Sequence, residues 1–175
     1  MAIQGKTDID QLLAKSLKEI AVRRPVEKIT IKEITDKAGV IRPTFYNHFQ
    51  DKFELIEWII RTELLEPVEP LIRNDMIIEA MVLLFTNIEK DKAFYSQLVK
   101  MEGPVKFHDI AKKCVREVLL ELIQNESSGR VSKHKWLTPE VISSYYAQSM
   151  CFATEEWMLL LRVLLCGLIL PLSLF

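Results

Sequence analysis

Arg42, Thr44, Tyr46, Asn47, His48 and Lys52 fall within one short stretch, and each side chain can hydrogen-bond a phosphate oxygen or a base edge. Arginine suits guanine and asparagine suits adenine in the major groove, because each offers two-point geometry to one base. Hydroxyl, phenol and ammonium groups hold the sugar-phosphate backbone without reading sequence. Pro43 opens a helix here, since the first helical turn has no intrahelical use for that N–H. Phe45 and Phe49 are four residues apart, so they share the opposite, core-directed face. The chemistry these spacings support is recognition. Catalysis has no comparable constellation: there is no nucleophile, phosphate loop or paired carboxylate, and Glu102, His108 and Asp109 read as solvated helix residues.

The elements before and after this stretch would position it. Thr30 and Glu33 have capping-box spacing and predict a helix start. Ile31, Ile34 and Ala38 then share a face, and Gly39 stands where a helix end favours a left-handed residue. Val40 fills the corner before the second helix, expected over Arg42–Phe49. Asp51 and Glu54 form a further capping pair, which starts another helix at once. Lys52 lies in its first turn, where the helix dipole disfavours a cation unless a phosphate lies there too. Helix, glycine turn and polar helix form the layout of a helix-turn-helix. Ile9, Leu12, Leu13, Leu17 and Ile20 predict a bracing helix over Asp8–Arg23, preceded by a flexible arm.

The segment A-G-V-x-R-x-T-F-Y-N-H-F-x-D-K, from Ala38 to Lys52, resembles the DNA-binding domain of the TetR family of bacterial transcriptional regulators. FELIEWII and FYSQLVKMEG further along resemble its dihydroxyacetone-kinase-regulator subgroup. The resemblance implies that Thr30, Thr44, Tyr46, His48 and Lys52 hold the DNA backbone, and that Arg42, Pro43 and Asn47 face bases. It also implies a homodimer paired through its last two long helices, and an effector cavity in the C-terminal part. Ile41 departs from the pattern. It stands where a capping residue is usual, and the missing cap costs about 1 kcal/mol.

The whole chain sets further bounds. Its 175 residues are 49% hydrophobic, so it can build a packed core. Net charge is −1, and residues 1–60 hold ten basic against nine acidic residues, so DNA affinity must come from local placement and dimerisation. Cys114, Cys151 and Cys166 are too widely spaced for a metal site and read as reduced thiols of a cytoplasmic protein. No cofactor or metal is expected. The first twenty residues are polar and interrupted by charges, unlike a signal peptide.

Pro67 and Pro70 mark a boundary, giving a DNA-binding domain over residues 1–66 and a helical regulatory and dimerisation domain over 67–175. The second domain is read as helical throughout. An apolar, well-buried helix would be capped by Asn74 or Asp75 and run to Lys90. A shorter helix covers Lys92–Met101 and a long one Pro104–Gln124, residues 125–130 form a loop, and the last helix starts at Thr138-Pro139. Phe85, Phe94, Tyr95, Met101, Phe107, Tyr145, Tyr146 and Met150 are the candidate effector contacts.

Residues 157–175 contain a single charge, Arg162. A dimer interface with core is the favoured account, ahead of a membrane contact or an atypical end. The expected protein is therefore all-α and not an enzyme. It would be a homodimeric transcriptional regulator in the cytoplasm, bound to a near-palindromic double-stranded DNA operator and controlled by a small-molecule or protein effector. Repression is the commoner mode in the family, and the subgroup includes activators. The rival reading is a membrane-associated helical protein anchored by residues 157–175.

Overall fold

The structure is a computed structural model that describes residues 2–126 and 134–165. It is all-α, and no strand occurs among the described residues. Helix α1 (Ala2–Ala21) is followed by a 3₁₀ turn (Val26–Lys28), α2 (Ile31–Ala38), α3 (Arg42–Tyr46) and α4 (Lys52–Ile59). The chain then passes through a π-helical segment (Ile60–Leu65) to α5 (Glu69–Arg73), α6 (Ile77–Lys90), α7 (Lys92–Leu98), α8 (Phe107–Glu126) and α9 (Pro139–Leu165). Helix α1 begins at Ala2, where the sequence suggested an arm. The expected membrane or interface tail falls partly outside the described residues. Among those described, no helix is long and apolar enough to cross a membrane.

Helix ends follow local chemistry. Thr30 caps α2: its hydroxyl accepts from the Glu33 N–H, and the Glu33 carboxylate accepts from the Thr30 N–H at 2.9 Å. Gly39 closes α2 with φ +70°. Asp51 caps α4 by accepting from the N–H groups of Phe53 and Glu54, at 2.7 and 2.9 Å. Glu54 reaches back to the N–H of Gln50 instead of that of Asp51, so the reciprocal half of the capping pair falls one residue early. Thr138 accepts from the Val141 N–H and Pro139 opens α9, as the sequence indicated.

One hydrophobic cluster runs through the whole fold. Leu13 and Leu17 of α1 meet Ile34, Phe45, Leu55 and Ile59. It continues through Ile60, Leu64 and Leu65 to Tyr95, Leu98, Phe107 and Ile110. Helix α4 and its π-helical continuation therefore form the shared spine between the N-terminal helices and the α8–α9 pair, whose two members pack extensively on each other.

Helix α6 departs from the expectation of deep burial. Ala80 and Ile88 are buried, whereas Ile77, Met81 and Val82 are about half exposed or more and Ile78 is 74% exposed. The π segment, α5 and α7 cover one side of α6. An apolar circumference cannot be buried all round by neighbours on one side. Its start also lacks a side-chain cap: Asn74 donates to the Pro70 carbonyl, and Asp75 takes φ +57°.

Candidate nucleic-acid interface

Helix α3 is short because nothing caps its start and core packing ends it. Ile41 has the extended geometry of an N-cap residue, makes no capping bond and is 69% exposed. Phe45 is fully buried and Phe49 nearly so, and the Phe49 N–H donates to the Phe45 carbonyl at 2.8 Å. Regular helix thus covers Arg42–Tyr46, with Asn47 as C-cap, instead of running to Phe49.

Fixing Phe45 inward turns Arg42, Pro43, Tyr46 and Asn47 outward, and all four are exposed. Thr44 is half-buried beside them. Tyr46 is held edge-on against Phe45, with ring centroids 5.7 Å apart, which orients its phenol. Arg42 forms no ion pair with Asp36 or Asp51 among the described residues. Thr30 is exposed at the start of α2, with its hydroxyl engaged by Glu33 at 2.8 Å.

Two of the candidate backbone contacts sit differently. The His48 imidazole N–H donates to Asp10 of α1 at 2.6 Å, and both side chains are largely buried. The Lys52 ammonium donates to the carbonyls of Val26, Glu27 and Ile29, each at 2.8 Å. Its three donors are thereby used, and burial lowers its pKa. Lys52 compensates the unfavourable dipole position by closing the carbonyl end of the 3₁₀ turn, which brings that turn against α4. In this arrangement His48 and Lys52 brace the reading helix.

The helical region behind this head holds a partly open apolar pocket of about 80 Å³. Of the candidate effector contacts, Tyr95, Phe107 and Met150 line it. The others lie elsewhere. Phe94 and Met101 belong to the core, and Phe85 packs on Trp157 with centroids 4.6 Å apart. Tyr145 and Tyr146 are exposed on α9. The sequence reading missed most of the wall, including Leu64, Leu65, Ile88, Cys151 and Met158. Apolar type at helical spacing gave no signal that separates wall from core. Burial raises the thiol of Cys151 to about 12 and that of Cys114 to about 11, so both stay protonated. His108 is half-buried and its ring bonds Glu155 at 3.0 Å, as a structural link between α8 and α9.

A capped helix, a left-handed glycine and an outward polar helix braced by α1 define a helix-turn-helix DNA-binding protein. Residues 14–59 match the sequence model of the bacterial regulatory proteins of the tetR family. It is 23% identical, over 148 residues, to the HTH-type dhaKLM operon transcriptional activator DhaS of Lactococcus lactis subsp. lactis (strain IL1403), which covers 83% of this chain and 77% of that protein. The solved structure of the dihydroxyacetone kinase operon activator DhaS shares the fold, with a TM-score of 0.52 at 22% identity over 86% of this chain and 84% of that one.

Proposed function

We propose that this chain is a TetR-family regulator and acts as a homodimer on a near-palindromic operator. Each subunit would place α3 in the major groove, with Arg42, Pro43 and Asn47 facing base edges and Thr44 and Tyr46 on phosphates, joined by Thr30 where its hydroxyl turns from Glu33 to a phosphate. The observation that carries this reading is the outward cluster of Arg42, Pro43, Tyr46 and Asn47, locked by the burial of Phe45. Lys52 and His48 would reach phosphate only by giving up their present partners, so their role is to hold the reading head. Residues 1–66 form the DNA-binding domain and 67–175 the regulatory and dimerisation domain.

Dimerisation is assigned to α8 and α9. Val141, Tyr145, Phe152 and Leu159 form an exposed large-hydrophobic stripe on α9, of the kind that marks an interface. The effector is assigned to the apolar pocket, because the linking π segment supplies part of its wall through Ile60, Leu64 and Leu65. Any ligand there presses on the spine that carries α4. Effector and operator affinities must then shift by the same factor, in either sign. The similarity to a protein described as an operon activator favours activation over repression.

The test is a mobility shift of the purified chain on DNA flanking its own gene, with salt titration and mass measurement of the complex. A complex of dimer stoichiometry that resists non-specific competitor is expected. A complex that any DNA of equal length displaces would overturn operator recognition.

A further inference from the structure

The pocket behind the reading head is walled almost wholly by hydrocarbon, from Leu65, Ile88, Phe107, Val118 and Met158 among others. The polar exceptions include Thr154, whose hydroxyl donates to the Met150 carbonyl at 2.9 Å, Glu155, which His108 engages, and Tyr95 of α7. Tyr95 is 1% exposed and on the wall, and its hydroxyl has no hydrogen-bond partner among the described residues. Native interiors pair nearly all buried polar atoms, so an orphaned phenol at a cavity wall calls for a partner that is absent from the chain.

The surroundings select the chemistry of that partner. Glu63 and Asp91 stand near Tyr95, and both are engaged by Lys18 at 2.8 Å. Glu155 borders the pocket and is engaged by His108. An anion would enter beside carboxylates, and a cation would find each of them already committed. Burial in the first place, and those carboxylates after it, push the phenol's pKa far up, so Tyr95 stays an O–H donor. A polyol would bring several hydroxyls to a wall that satisfies one. The size is also set. An apolar cavity of roughly 150 Å³ stays dry and takes benzene, and this pocket is about half that.

We propose that the cavity binds a compact, uncharged, mainly apolar molecule with a single hydrogen-bond acceptor, to which the Tyr95 hydroxyl donates. The assignment deepens the effector reading above and rests on it for its biological meaning, while binding itself is read without DNA.

Thermal unfolding of the full chain with four probes of four heavy atoms each, acetone, isobutane, acetate and ethylene glycol, tests it. Acetone is expected to raise Tm by a few degrees, isobutane by clearly less, and acetate and ethylene glycol not at all. Tyr95→Phe keeps the wall, removes the donor and should melt no lower than the parent. In it the advantage of the ketone over the hydrocarbon should vanish. Ala111→Val, on the α8 side of the wall, narrows the pocket and should reduce the response to both. The proposal is overturned if no probe raises Tm, if acetate or ethylene glycol matches acetone, or if Tyr95→Phe retains the ketone preference. A mobility shift on the same preparation keeps the two readings apart, since failure to bind operator leaves the probe result standing and the reverse also holds.

Discussion

Arg42, Pro43, Tyr46 and Asn47 turn outward for a reason visible in the sequence: Phe45 and Phe49 claim the inner face of a short helix. What the sequence could not disclose is the direction taken by a long or ionisable side chain at the edge of that face. His48 is drawn inward by Asp10, 38 residues earlier, and Lys52 by carbonyls about 25 residues earlier. No local pattern encodes those partners. The remaining exposed residues should split by role. Tyr46→Ala should weaken binding to every DNA sequence about equally, since a phosphate contact carries no sequence information. Asn47→Ala should cost about 1–3 kcal/mol on the preferred operator and flatten preference at one base position. Binding curves on a set of single-base operator variants measure both. Parallel losses for the two mutants across that set would show that the split is wrong.

Among the elements, the ends were the most legible, because capping is decided by residues within one turn. Thr30–Glu33, Gly39, Asp51 and Thr138-Pro139 all act where their spacing places them. The π segment at Ile60–Leu65 and the exposed face of α6 were not legible, since both depend on which neighbours cover the helix. The α2 cap makes a pH prediction. The Thr30 backbone N–H, then its hydroxyl, then Arg24 hold the Glu33 carboxyl down to about 2, against an ordinary value of 4.5. A depressed folded-state pKa stabilises fully above the unfolded value and is lost as pH falls through the folded one. Parent chain and Glu33→Gln should therefore converge in Tm between about pH 4.5 and 2, after a constant gap at higher pH. A gap that stays constant through that window would contradict the assignment. The α3 start is open to improvement. Ile41→Ser supplies the missing cap and should stabilise the chain by about 1 kcal/mol in chemical denaturation.

At the scale of the whole molecule, Lys18 is one of the cations that tie the reading head to the helical region, beside Lys113 of α8, which pairs with Glu57 of α4. Lys18 of α1 donates to Glu63 on the π segment and to Asp91 between α6 and α7, each at 2.8 Å. Its side chain is 19% exposed. Burial works against its charge, but the hydrogen bonds to Asp91 and Glu63 outweigh that and raise its pKa above 10.5. Lys18→Met keeps the apolar stem and leaves two carboxylates facing each other, so it should cost on the order of 1–2 kcal/mol after discounting for solvent around the partners. A raised folded-state pKa stabilises fully below 10.5 and is lost as pH rises through the higher folded value. The Tm gap between parent and variant should therefore be flat near neutrality and shrink above pH 10.5. Operator binding separates a strut from a coupling element. Lys18 is remote from Arg42 and Asn47 in role, so the salt slope of DNA binding should not change. If the bridge fixes how α1 and the reading helix sit on the spine, operator affinity should change several-fold. Unchanged affinity in a destabilised variant would show that Lys18 only holds the fold, leaving the π segment alone to carry any signal from the cavity to the reading head.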